Sequence, residues 1–200
     1  MRLVGIAGRA GAGKSMVAER LVQLSSCRVV AFATPLKRMA VNFLVDNYGY
    51  DQSHAALYLV HKTIKIPELG VTMRHLLQTL GTDWGRQLID PYLWTNITAD
   101  EIAEQMDWTD VVVDDVRFES EASLIRDFGG LVIHLVRPGG VIDHHASEAG
   151  IAIKPDDVII TNNGSVIEVM EQVIRAIDHF HSNTARLLEL CHTPCWRYQP

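Results

Sequence analysis

Cysteine is scarce in this chain: Cys27, Cys191 and Cys195 are the three among 200 residues. So small and odd a set excludes the disulfide framework that staples small secreted domains. No apolar run approaches the roughly 18 residues that a bilayer-spanning helix needs, and Met1-Arg2-Leu3 leads into a strand-like run rather than the apolar core of a signal peptide. The expectation is a cytoplasmic protein with no membrane partner. Basic charge is also short, with 18 Lys and Arg against 24 Asp and Glu and a net charge of −6. That balance argues against a broad face for a nucleic-acid polymer, which relies on clustered cations. It still allows local basic groups around one small anion. Low-complexity tracts, internal repeats and Ser/Gly-rich linkers are missing. A single domain over 1–200 is therefore expected, with a C-terminal tail at about 183–200.

Aliphatic residues gather in five β-like runs, Leu3 to Ala7, Val29 to Ala33, Val111 to Asp115, Leu131 to Val136 and Val158 to Thr161. With little polar alternation, such runs suit strands covered on both faces of a parallel sheet. Helical spacing lies between them. Pro35 to Tyr48 carries Leu36, Met39, Phe43 and Leu44, and a second stripe joins Met73, Leu77, Leu80, Trp84 and Leu88. Glu119 to Phe128 ends at Gly129-Gly130, and Val166, Met170, Val173, Ile177 and Phe180 mark a last long helix. The fold class expected is α/β, a three-layer α/β/α sandwich on a five-stranded parallel sheet with its ligand site at the carboxyl ends of the strands. Between the second and third strands lie nearly eighty residues, Thr34 to Asp110, more than one crossover needs. A helical substrate-binding insertion at about 35–105 accounts for the surplus.

Gly8-Arg-Ala-Gly11-Ala12-Gly13-Lys14-Ser15 fits G-x-x-x-x-G-K-[ST] between the first strand and a helical stretch in which Val17, Leu21 and Leu24 share a face. This is a P-loop in its required context: glycines let backbone N–H groups converge on phosphate, the lysine reaches the β and γ phosphates, and the serine hydroxyl can ligate Mg²⁺. Val111-Val-Val-Asp114-Asp115 is an apolar strand ending in carboxylates, the layout of an element that supports Mg²⁺ at the strand terminus. Arg117 can contact phosphate or pair with Glu119 or Glu121. Lys37, Arg74, Arg86 and Arg137 recur after strands or within the insertion. Phosphoryl transfer needs cations on both sides of its reaction centre, although any one of these could be a solvated surface residue. Cys191-His192-Thr-Pro-Cys195 reads either as a partial Zn²⁺ site or as a plain terminal tail.

These segments resemble the deoxynucleoside monophosphate kinases best known from tailed bacteriophages. The resemblance rests on the P-loop, on Phe32-Ala-Thr-Pro35-Leu-Lys37, on Arg74-His-Leu-Leu-Gln78-Thr-Leu-Gly81-Thr82-Asp-Trp-Gly85-Arg86, on Asp115-Val-Arg117-Phe118-Glu-Ser-Glu121-Ala122, on His145-Ala-Ser147-Glu148 and on Asn162-Asn163-Gly164. It implies transfer of the ATP γ-phosphoryl group to a deoxynucleoside 5′-monophosphate. By position, Gly8, Gly11, Ala12, Gly13, Lys14, Ser15 and Asn162 would bind ATP, and Ser15 and Asp115 would hold Mg²⁺. Phe32, Lys37, Arg74, Gln78, Thr82, Arg86, Arg117, His145 and Glu148 would serve the acceptor nucleotide. Lys14, Arg86, Arg117 and Arg137 would act in transfer, with Arg137 in a lid-like segment and His145 either a positioning or a structural histidine. Two departures touch single contacts: Ser120 stands where asparagine is frequent, and Asp83 where glutamate is usual. A related small-molecule kinase, such as one acting on dephospho-coenzyme A, shares the P-loop and the Asn-Asn-Gly, but the Arg74 to Arg86 block favours the deoxynucleotide enzymes. An ATP-hydrolysing switch is disfavoured because Val116, not a catalytic acid, follows Asp115. Members of the family are often discussed as dimers, and the sequence leaves the oligomeric state and the preferred base open.

Overall fold

Strand β1 (Leu3–Ala7) is buried at all five positions and lies at the centre of a five-stranded sheet in the order β2-β3-β1-β4-β5. A computed structural model of the chain describes residues 2–139 and 151–192, with side chains as far as residue 183. The flanking strands are β2 (Cys27–Val30), β3 (Asp110–Val116), β4 (Leu131–Val136) and β5 (Val158–Thr161), every pairing parallel. Helices α1 (Lys14–Leu24) and α7 (Val166–His192) cover one face, where Val17, Leu21, Val169 and Val173 meet Val4, Ile6 and Val112. On the other face, α5 (Leu93–Trp108) and α6 (Glu119–Asp127) bury Ile102, Ala122 and Ile125 against Val111, Val113 and Val132. Burial on both faces is why the strands read as unbroken aliphatic runs.

The insertion has a core of its own. Helices α2 (Thr34–Tyr48), α3 (Gln52–Val60) and α4 (Met73–Gln78) enclose Ala40, Val41, Leu44, Ala55, Ile66 and Met73. Local chemistry sets their ends: Pro35 opens α2 and Gly49, at φ 71°, closes it. Asp51 and Thr72 cap α3 and α4 by accepting from the backbone N–H of His54 at 2.8 Å and His75 at 3.1 Å.

Three expectations from periodicity need correction. Strand β2 ends at Val30, not Ala33, because the Phe32 and Ala33 N–H groups leave the ladder and donate to the Asp115 carboxylate, each at 2.9 Å. In α2 the packed face is Leu36, Ala40, Val41 and Leu44, while the bulkier Met39 and Phe43 are 41% and 43% exposed. Similarly, Leu24 and Val166 are exposed at the ends of their stripes. The stripe from Met73 to Leu88 is not one α-helix: after α4 the chain continues as a π-helix over Thr79–Ile89, leaving Leu88 exposed. The i→i+5 pattern is rare and frequently falls at functional sites.

Gly85 sits where this π-helix meets α5. A Cβ there would lie 2.5 Å from Trp94 Nε1, and Trp94 is itself buried with its indole N–H donating to the Gly81 carbonyl at 2.8 Å. Gly85→Ala is expected to destabilise the fold by about 2–3 kcal/mol through overpacking. Thermal unfolding should show a midpoint lower by about 6 °C.

Candidate functional site

The carboxyl ends of β1 and β3 open into a cleft of about 530 Å³ shared by the sheet and the insertion. On the sheet side the loop from Gly8 to Gly13 leads into α1, whose N-terminus has no side-chain cap. Its first-turn N–H groups are thus arranged to receive an anion. The glycines are demanded by geometry: Gly8 and Gly13 have φ 151° and 100°, and a side chain would strike the Leu135 carbonyl at the first and Asn162 Nδ2 at the second. Asn162, just after β5, donates from Nδ2 to the Ala12 carbonyl at 2.8 Å and so buttresses the loop from behind. Arg137 follows β4 and reaches the Gly11 carbonyl at 3.5 Å.

Lys14 is 8% exposed and arches back over its own loop, donating to the Gly8 carbonyl at 2.6 Å and the Arg9 carbonyl at 3.1 Å. The Ser15 hydroxyl donates to Asp114 Oδ2 at 3.0 Å. The carboxylate beside the P-loop serine is therefore Asp114 and not Asp115. Strand alternation explains this, since Val112 faces the α1 side and Asp114 follows it there. Asp115 falls on the other face, where its two oxygens hold the Phe32 and Ala33 N–H groups and fix the turn that carries Phe32 and Lys37. Burial and the neighbouring Asp114 push its pKa up, and those N–H bonds and Lys37 oppose the rise.

Across the cleft, Phe32, Lys37, Arg74, Gln78, Thr82 and Arg117 line the same cavity as Lys14 and Ser15. Arg86 lines it too, but its guanidinium is committed within the protein. One Nη donates to the Gly81 carbonyl at 2.9 Å, the other pairs with Glu121 at 2.5 Å, and the Cζ sits 3.8 Å over the Phe118 ring. Glu121 is 2% exposed, and its second oxygen accepts the N–H of Arg117 at 2.7 Å and of Phe118 at 3.1 Å. This brace ties the π-helix to the turn after β3.

The sequence matches the deoxynucleotide monophosphate kinase family over residues 39–173. The chain belongs to this family. The family match begins beyond the P-loop. A protein of Acanthamoeba polyphaga mimivirus, provisionally named deoxynucleotide monophosphate kinase, is 30% identical over 194 residues, 90% of this chain and 97% of its own. The deoxynucleotide monophosphate kinase of Enterobacteria phage T4 is 34% identical over 135 residues, 66% of this chain and 56% of the phage protein. Among solved structures, a sugar kinase from Janibacter covers 89% of this chain and 95% of its own at 14% identity and a TM-score of 0.48.

Within this kinase family member, the cleft gathers two thirds of the residues that the motifs pointed to, from Gly11 and Lys14 to Arg86 and Arg117. Gly8 and Ala12 belong to the loop itself and offer their carbonyls to Lys14 and Asn162, while Asn162 and Arg137 stand behind and beside it. His145 and Glu148 lie outside the described residues, as does Cys195, and the side chains of Cys191 and His192 do too. Three contributors were not anticipated: Asp114 as the partner of Ser15, Glu121 as the partner of Arg86, and Lys62, which lines the cleft from the loop after α3. For Asp114 the signal was available in strand alternation. For the other two no local pattern exists, because the Arg86–Glu121 contact joins residues 35 apart in sequence and Lys62 follows no motif.

Proposed function

We propose that the protein transfers the γ-phosphoryl group of ATP to the 5′-phosphate of a deoxynucleoside monophosphate, giving the diphosphate and ADP. The observation that carries this reading is one continuous cleft with a P-loop on one side and Lys37, Arg74 and Arg117 on the other. A hydrolase needs to hold one anionic substrate; this cleft has cationic groups for two. Its oxygen donors suit Mg²⁺, because the Ser15 hydroxyl and the Asp114 carboxylate lie 3.0 Å apart and this ion binds through one or two carboxylates, water and substrate phosphates. When bound, Mg²⁺ neutralises charge on the β- and γ-phosphate oxygens.

The chain's own residues supply position and charge. The P-loop backbone and the N-terminus of α1 hold the donor phosphates, and Lys14 places its ammonium against the transferring group. Lys37, Arg74 and Arg117 hold the acceptor phosphate in line, while Phe32, Gln78 and Thr82 offer an aromatic face and neutral polar groups to the nucleoside. The acceptor oxygen is already ionised at neutral pH, so no general base is required. Asp115 and Arg86 act as positioning residues, the first through the β2–α2 turn and the second through the π-helix. Among the described residues no helix is long and apolar enough to cross a membrane, and the proposed place of action is the cytoplasm, that of the host if the gene is viral.

ADP release with ATP and Mg²⁺ tests the proposal, run with each of the four deoxynucleoside monophosphates, with modified-base acceptors and with dephospho-coenzyme A. Release that depends on a deoxynucleotide is the expected result. Equal ATP hydrolysis with and without acceptors would overturn it, and stimulation by dephospho-coenzyme A alone would reassign the acceptor.

A further inference from the structure

Lys62 is half-buried, two residues beyond the end of α3, and lines the same cleft as Lys37, Arg74 and Arg117. The fold mounts it firmly. Its carbonyl accepts the Arg74 N–H at 3.0 Å, and Lys65 pairs with Thr72 in an antiparallel bridge, so the loop between closes on itself. Ile66 anchors that loop in the insertion core, fully buried, with its N–H donating to the Val71 carbonyl at 2.8 Å. The Tyr50 phenol donates to Glu68 at 2.6 Å and ties the same loop to the connection between α2 and α3.

The electrostatics of this corner of the cleft favour an anion. Burial, followed by Lys37, Arg117 and Arg74, pulls the Lys62 ammonium below the usual lysine range, and Asp115 opposes them. Among the described residues no carboxylate lies within ion-pair distance of Lys37 or Lys62. Like charges held this close in a half-buried cleft repel one another, and a dianionic phosphate seated between them converts the repulsion to attraction. Arg86, in contrast, has Glu121 as its counterion and has no such need of a ligand.

We infer that Lys62, delivered by the loop between α3 and α4, binds the 5′-phosphate of the acceptor together with Lys37 and Arg74. The inference rests on the kinase reading of this cleft. It also makes Lys62 a specificity residue, because a nucleoside without its phosphate offers nothing to the ammonium.

Lys62→Met keeps the apolar stem and removes the charge, and Lys62→Arg restores it. Steady-state KM values for acceptor and ATP are to be measured for both variants, together with calorimetric binding of the deoxynucleoside monophosphate that wild type binds most tightly. Loss of one charged hydrogen bond should raise the acceptor KM and Kd about 30-fold in Lys62→Met, with the ATP KM within about twofold of wild type. Lys62→Arg should recover most of the loss. An unchanged acceptor KM and Kd in folded Lys62→Met, or equal losses for ATP and acceptor, would overturn the inference while leaving the kinase standing. Wild type that binds the monophosphate through Lys62 but never phosphorylates it would overturn the kinase reading alone. Wild type that binds none of the monophosphates would overturn both.

Discussion

Lys14→Ala should lower kcat/KM for phosphoryl transfer about 10³-fold or more, the scale expected when one cation that stabilises the transferring phosphoryl group is removed. Lys14 begins α1 and lies buried over the loop, its ammonium satisfied by the Gly8 and Arg9 carbonyls. Those carbonyls are weaker partners than a phosphate oxygen, since they carry no net charge to attract the ammonium. The ammonium is therefore held near its working position without being trapped there. Removing it leaves the β1–loop–α1 backbone in place, because Val17, Ala18 and Leu21 carry the packing of α1. Deoxynucleotide-dependent ADP release by the folded variant checks this, with far-ultraviolet circular dichroism as the control. Activity within tenfold of wild type would remove Lys14 from the reaction.

The contrast between Lys14 and Lys62 shows what was legible in advance. A P-loop lysine is fixed by its neighbours in sequence, since the loop, strand and helix around it are contiguous and each has a local signature. The same holds for the strands: four of five ended within about two residues of expectation because burial on both faces writes itself as an aliphatic run. Strand β2 was drawn three residues too far, and what stops it is Asp115, more than eighty residues downstream. Helix α3, with a single fully buried side chain in Ala55, has almost no stripe to detect. In the Met73 to Leu88 region apolar residues four apart suggested an α-helix, yet a wider turn accommodates the same spacing. Residues that motifs bring to the cleft could be listed from the chain; residues that arrive there through long-range packing, such as Lys62, or that neutralise others across the fold, such as Glu121, could not.

Glu121→Ala should be the most damaging change outside the P-loop, because it leaves Arg86 buried without a counterion. Breaking one side of such a pair costs about 3–5 kcal/mol, enough to lower the unfolding midpoint of a chain this size by about 10 °C. Three further groups lose their partner or support: the Arg117 and Phe118 N–H groups and, through Arg86, the Phe118 ring. Arg86 Nε is already buried without a hydrogen bond, which leaves that side of the guanidinium little to fall back on. Because the brace supports both the turn after β3 and the π-helix, Arg86→Met should weaken stability and affect ATP and acceptor together, unlike Lys62→Met. The pair also predicts a pH dependence. Burial, and then the charge of Asp115, raise the Glu121 pKa from 4.5 to about 7, with Arg86 and the two backbone N–H groups pulling the other way. Between these values the folded protein holds a proton that the unfolded chain has released, so the contribution is fully present below about 4.5 and is lost as pH rises through about 7. Glu121→Gln fixes the side chain in a neutral state and removes this term. The difference in unfolding free energy between wild type and Glu121→Gln, measured from pH 4.5 to 8, should fall with rising pH and level off above about 7. A difference that stays flat, or one that rises, would mean that Arg86 keeps the carboxylate ionised throughout and that attraction within the pair outweighs its burial.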